Sequence, residues 1–312
     1  MRRIGLVAVL VAAAGSAVGL AQLSQQGTKL VGSGATGNAW QGQAVAISSD
    51  GSTAIVGGYL DSDATGAAWV FTRSGGAWSQ QGNKLVGTNA SGGAQQGWSV
   101  AISADGNTAI IGGPADNSGV GAAWVFSRSG GAWSQQGNKL VGSSAGAHAG
   151  QGWSVAMAAD GNTAVVGGPG DNNSNIVGAG AVWVFTRSNG TWKQQGNKLV
   201  VANQAGPAGF GASVAISADA NTLVAGGPYD NGDMGGAWVF TQASGKWTQQ
   251  GNKLVGTGAS GRPEQGFSVA LSADGSTAIA GGIADNRVTG AAWVHSRSGG
   301  VWIPTPAPAL GF

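Results

Sequence analysis

The sequence predicts an all-β fold built from five copies of one four-stranded unit, and three observations carry that prediction. A short motif recurs at nearly constant spacing, two tryptophan series recur in step with it, and glycine is abundant without a triplet period. The string QQG-x-KL begins at Gln25, Gln80, Gln135, Gln194 and Gln249, so the period is 55, 55, 59 and 55 residues. One tryptophan series lies at Trp69, Trp124, Trp183, Trp238 and Trp293, and a second at Trp78, Trp133, Trp192, Trp247 and Trp302. Ten of the 13 tryptophans therefore occupy repeat positions, where packing between units is their ordinary use. The 60 glycines without a G-X-Y period indicate tight turns between many short strands.

Each unit divides into four strands, here called A to D. In the second unit A spans 99–103, B 108–112, C 122–128 and D 133–141. Small and β-branched residues fill A and B, while aromatics alternate in C, the pattern of half-buried strands. Ala104-Asp105-Gly106-Asn107 joins A to B, and its Asp-Gly-Asn run tolerates the positive φ of a hairpin turn. Ser129-Gly130-Gly131 makes an equally tight C–D connection. No apolar period of 3.6 residues appears after the N-terminal segment, so almost no helix is expected.

Four short strands per unit, repeated radially, describe a β-propeller. A solenoid calls for atypical polar caps at its ends, and none is visible. The chain carries five A–B–C cores but begins with an isolated D-like segment, Leu23 to Val31. The fifth core ends at Trp302, where the repeat calls for Ser-Gln-Gln-Gly, the string that begins instead at Ser24. The expectation is a five-bladed β-propeller of four-stranded blades over residues 22–302, closed by its N-terminal strand, which removes two open sheet edges. A truncated seven-bladed ring is the competing arrangement. Residues 303–312 form a Pro-rich tail that should not pair deeply in a sheet.

Residues 1–21 are of another kind. Arg2 and Arg3 precede an apolar run from Ile4 to Ala14 and small residues through Ala21, the pattern of a secretory signal peptide. Cleavage fits after Ala21 or Gly19. The alternative is an uncleaved anchor, since Ile4 to Leu20 is at the lower edge of a membrane span. Export is expected, to the periplasm, the cell surface or the medium, with no membrane insertion after cleavage.

Composition narrows the function. Net charge is +2 and the 15 basic residues are scattered singly, so nucleic acid finds no basic stripe. Without cysteine there are no disulfides, thiolate metal sites or thiol nucleophiles.

From Phe210 the fourth unit reads FGASVAISADANTLVAGGP. This resembles the FG-GAP repeat of integrin-α-type propellers and their bacterial relatives, with FG heading strand A and a GAP-like GGP ending strand B. Other units carry QGWSVA from Gln96 and Gln151 and QGFSVA from Gln265. GGP recurs at Gly112, Gly167 and Gly226, whereas units one and five have Gly58-Tyr59 and Gly282-Ile283. The resemblance implies a propeller and an adhesion or recognition role. Calcium-binding members carry a DxNxDG-like loop between A and B, but here it has shrunk to Asp50-Gly51, Asp105-Gly106, Asp160-Gly161, Asp219-Ala220 and Asp274-Gly275. One carboxylate per turn cannot supply six to eight oxygens, so no calcium site is carried over and no cofactor is expected.

The A–B and C–D turns are nearly uniform among units, whereas the D–A and B–C loops differ in length and chemistry. Variable loops on a rigid scaffold are where binding usually resides. Two sets of candidate ligand-binding residues lie there. Asp61, Asp116, Asp171, Asp230 and Asp285 recur in the B–C loops, either as sugar- or cation-binding carboxylates or as self-bonded Asx turns. Trp98, Trp153 and Phe267 head strand A, with Trp40 and Phe210 close by, either as stacking platforms or as packing at the strand start. Catalytic groups are scarce: the only Glu is Glu264 and the only histidines are His148 and His295. The sequence thus indicates a non-catalytic exported module binding an extracellular protein or glycan. A multivalent lectin and a glycan-cleaving enzyme are the alternatives.

Overall fold

The computed structural model describes residues 25–172 and 176–304. The segment 1–21 expected to be a signal peptide and the residues beyond 304 of the expected tail lie outside the described residues. Twenty strands form five separate four-stranded antiparallel sheets, each in sequential order. Blade 1 comprises β1 (Ala44–Ile47), β2 (Thr53–Gly58), β3 (Ala67–Ser74) and β4 (Ala77–Gln80). Blade 2 has β5 (Ser99–Ile102), β6 (Thr108–Gly113), β7 (Ala122–Ser129) and β8 (Ala132–Gln135). Blade 3 has β9 (Ser154–Met157), β10 (Thr163–Gly168), β11 (Ala181–Ser188) and β12 (Thr191–Gln194). Blade 4 has β13 (Ser213–Ile216), β14 (Thr222–Gly226), β15 (Ala237–Ala243) and β16 (Lys246–Gln249). Blade 5 has β17 (Ser268–Leu271), β18 (Thr277–Gly282), β19 (Ala291–Ser298) and β20 (Val301–Pro304).

The turns form for the reasons the sequence gives. Ser48 Oγ donates to Asp50 Oδ1 at 2.5 Å, and the same oxygen accepts the Ser52 N–H at 2.9 Å. Hydrogen bonds from Ser48 and Ser52 hold the Asp50 carboxyl down at about 2. The turn carboxylates are thus occupied by their own loops, which fixes the A–B register.

The core lies between blades. Ile55, Ala68, Val70 and Leu85 of blade 1 pack on Val100, Ile111, Trp124 and Phe126 of blade 2. Equivalent clusters join blades 2 and 3 and blades 3 and 4. Trp69, Trp124, Trp183 and Trp238 are fully buried, so the first tryptophan series is packing in blades 1 to 4, while Trp293 of blade 5 is half-buried. Close approach to that series excludes side chains: a Cβ at Gly87 would meet the Trp124 ring at 2.0 Å. The buried Gln96 amide clamps Gly87 from both sides, accepting its N–H at 2.5 Å and donating to its carbonyl at 3.0 Å.

Two expectations are corrected at the ends of the chain. The fourth strand of blade 5 is β20, with Trp302 opposite Arg297 and Ile303 opposite Ser296, and not the N-terminal segment. Residues 303 and 304 therefore pair in a sheet after all. The local hairpin wins because the Gly299-Gly300 turn delivers an apolar Val-Trp-Ile run directly beside β19, with little loop-closure entropy. Pro304 comes last on an outer edge, where a missing N–H costs least. Residues 25–33 form no strand; they lie against blade 1, where Trp69 Nε1 donates to the Ser33 carbonyl at 2.8 Å. First strands of consecutive blades pack side by side, β1 on β5, β5 on β9, β9 on β13 and β13 on β17, but β17 and β1 do not pack in this way. The five blades form an arc whose two end faces are open.

Candidate ligand-binding face

The B–C loops coil through consecutive left-handed residues: Ser62 (φ 50°), Asp63 (φ 55°) and Ala64 (φ 64°) in blade 1, and Asn117 (φ 48°) and Ser118 (φ 56°) in blade 2. Such φ values are costly for residues with a Cβ and persist only where the surroundings hold them. The recurrent aspartate does the holding. Asp61 Oδ1 accepts the Thr36 N–H at 2.7 Å, tying the D–A loop to the B–C loop, and Oδ2 accepts from Lys84 Nζ at 2.5 Å. Burial alone pushes this carboxyl up. Hydrogen bonds from Lys84, Thr36 and Ser62 outweigh it and leave Asp61 below the usual carboxylate range.

The same arrangement recurs in blades 2 to 4. Asp116 takes the Ser91 N–H and Lys139, Asp171 takes the Gly146 N–H and Lys198, and Asp230 takes the Ala205 N–H and Lys253. All four of these aspartates are fully buried in ion pairs, and Asp285 is 9% exposed. A ligand on this face meets their loops and not their carboxylates.

The aromatic candidates separate into three structural positions. Trp98, Trp153 and Phe267 follow the Gln-Gly pair at the head of strand A, and they project to the loop face; Trp153 is 42% and Phe267 43% exposed. Trp40 lies further upstream, at φ 53° and 59% exposed. Phe210 stands where other units have the clamping glutamine, opposite Val201 where they have glycine, and is fully buried. Its ring packs on Trp238 at 5.7 Å and on Phe240 at 5.8 Å, which places it in the core and off the face.

Two residues join the aromatics that the sequence argument left out. Tyr59 bridges Trp40 (5.8 Å between ring centroids) and Trp98 (4.9 Å), and Trp98 meets Trp153 at 4.8 Å. A continuous row Trp40–Tyr59–Trp98–Trp153 therefore crosses blades 1 to 3. Beyond it, Tyr229 (46% exposed) faces Trp153 across a cavity of about 360 Å³ also lined by Pro169 and Pro207. A second cavity of about 320 Å³ lies on the other side of Trp153, bounded by Pro114 and His148. The signal for the tyrosines was present: the chain has only two, and both lie in B–C loops. The row offers stacking and apolar contact with few ionic groups, which suits an uncharged ligand.

Comparison with solved structures shows the fold. The chain is similar to a candidate 6-phosphogluconolactonase from Bacteroides uniformis (TM-score 0.50, 12% identity, 85% of this chain and 84% of that one). It is also similar to the hydrazine synthase of Kuenenia stuttgartiensis (TM-score 0.52, 16% identity, 90% and 69%). TolB from Acinetobacter baumannii matches at TM-score 0.44 and 13% identity over 84% of this chain, which spans 54% of that chain. The first two are likenesses at the level of fold. No family model matches the sequence, and no curated protein matches it. Among the described residues no helix is long and apolar enough to cross a membrane.

Proposed function

We propose that the chain is an exported recognition module of FG-GAP-like units, whose arc of five blades shuts into a ring when its two open end faces meet, and that it binds an extracellular protein or uncharged glycan through its variable-loop face. The observation that carries the reading is the continuous row Trp40–Tyr59–Trp98–Trp153, exposed at its two ends and half-buried between them, with exposed Tyr229 beyond it, in a chain whose strand-C aromatics in blades 1 to 4 are buried. Exposed aromatics in series give a ligand large contact area at small entropic cost. The leader sequence supports export, and the recurrence of the short motifs supports the FG-GAP likeness. Catalysis is not proposed, because the recurrent B–C aspartates of blades 1 to 4 are spent on loop geometry and ion pairs.

Glycan and proline-rich peptide arrays probed with the labelled full chain test the reading. It predicts binding to one class of probe, weakened at least tenfold by Trp153→Ala and unaffected by Trp192→Ala, on an outer strand. Equal loss from both changes, or no binding on either array, contradicts it.

A further inference from the structure

Blades 1 to 4 share a joint that blade 5 lacks. After the fourth strand the chain kinks and rejoins its own third strand, where Leu85 and Ala68 exchange backbone hydrogen bonds of 2.7 and 3.0 Å. Leu140 with Ala123, Leu199 with Val182 and Leu254 with Ala237 repeat the contact. The lysine just before each leucine pairs with the buried aspartate of the same blade, and each of these leucines is 6–9% exposed.

In blade 5 only the receiving half is present among the described residues. Asp285 Oδ1 accepts the Ser260 N–H at 2.7 Å as its counterparts do, but no lysine reaches its other oxygen among the described residues. Among the described residues Ala292 has no leucine opposite, and Ile279 (39% exposed) and Val294 (43%) stand open where Ile55 and Val70 are fully buried.

The donating half lies at the other end of the chain. Gln25-Gln26-Gly27-Thr28-Lys29-Leu30-Val31 has the order of 80–86, and its flanks already sit on blade 1 as a preceding blade's would. Arg73 Nη1 donates to Gln26 Oε1 at 3.2 Å, matching Arg128 on Gln81 at 3.0 Å, and the Gly32 N–H reaches Gln41 at 2.6 Å. Between those anchors Lys29 pairs with no carboxylate among the described residues, and Leu30 is 37% exposed. Blade 1 also exposes Val45 (69%), whose counterpart Val100 is 8% exposed under its neighbour.

We infer that Lys29–Val31 dock on blade 5 of the same chain, Lys29 on Asp285 and Leu30 opposite Ala292. The last blade then has a split fourth strand, β20 supplying the outer half and the N-terminal segment the inner half. The complementarity is fourfold precedented within the molecule, in charge, in backbone pairing and in the apolar faces that close over it. Both halves belong to one chain, so they meet at an effective concentration far above that of a second copy. This inference rests on the closed ring proposed above and names the contacts that shut it.

The absence of cysteine makes the test direct. Leu30→Cys with Ala292→Cys places two thiols in a directly opposed antiparallel pair, whose Cα separation of about 5.5 Å suits a disulfide. Leu85→Cys with Ala68→Cys, the corresponding pair inside blade 1, sets the standard. Under mild oxidation the end pair is expected to form a disulfide within monomers to within about twofold of that standard. Adding Asp285→Asn should lower the yield severalfold. Free thiols under conditions that oxidise the standard, or disulfides between chains only, overturn the inference. The readout needs no ligand, so its failure leaves the aromatic-face reading to the array experiment.

Discussion

At the scale of single residues, the repeat supplies its own controls. His295 occupies the position held by Phe71, Phe126, Phe185 and Phe240, is 1% exposed, and has neither ring nitrogen hydrogen-bonded among the described residues. Burial lowers its pKa, so the folded state holds it neutral. A base with a lowered folded pKa costs nothing above its unfolded pKa near 6.5; the penalty grows as pH falls below that, because only the unfolded chain takes the proton. His295→Phe should stabilise the protein by about 1–2 kcal/mol at pH 7 by removing two unsatisfied polar atoms. The gain should widen between pH 6.5 and 5. Urea melts at both pH values check this, and a gain that is flat or shrinks on acidification contradicts it. Residues such as this were only partly legible. Phe210 and Trp98 looked alike in sequence because each adjoins the glycine heading strand A, yet Phe210 precedes that glycine and Trp98 follows it, and these two positions separate a core ring from one on the loop face. The B–C aspartates were visible as a recurrent set, but their lysines lie 23 or 27 residues further on, and only the fold brings the two together.

At the scale of the blade, legibility was high where the signal is local. Alternating apolar residues fixed strands A to C, and the Asp-Gly and Gly-Gly steps fixed two turns. The fourth strand was overextended to Val141, whereas β8 stops at Gln135. The cause is Gly137, at φ 73°, which turns the chain out before Leu140 returns to the sheet. No sequence period marks such an interruption. The glutamine clamp was likewise invisible, since its partner glycine is nine residues upstream and belongs to the incoming D–A segment. That clamp should hold each blade to the segment entering it. Gln96→Ala leaves the Gly87 N–H and carbonyl buried without partners, at a cost of about 1–3 kcal/mol. Thermal melts should show the loss for Gln96→Ala and almost none for the exposed Gln25→Ala; equal effects contradict the clamp.

At the scale of the molecule, the uniform turns lie on one side of the blades and the unequal loops, with the proposed site, on the other. Five blades and their order followed from the repeat. The completion of blade 5 by β20 did not, because the N-terminal string matches the missing repeat better than Val301–Pro304 does, and hairpin proximity outweighs that match. The account as a whole depends on the loop-face aromatics being spare to the fold while the strand-C aromatics build it. The most direct measurement compares thermal unfolding of Trp153→Ala with that of Trp124→Ala. Trp124 is fully buried between blades, and its loss should cost about 3–5 kcal/mol. Trp153→Ala should leave the melting midpoint within a degree or two of the parent. A midpoint depressed as far as that of Trp124→Ala would make Trp153 part of the core and remove the proposed binding face.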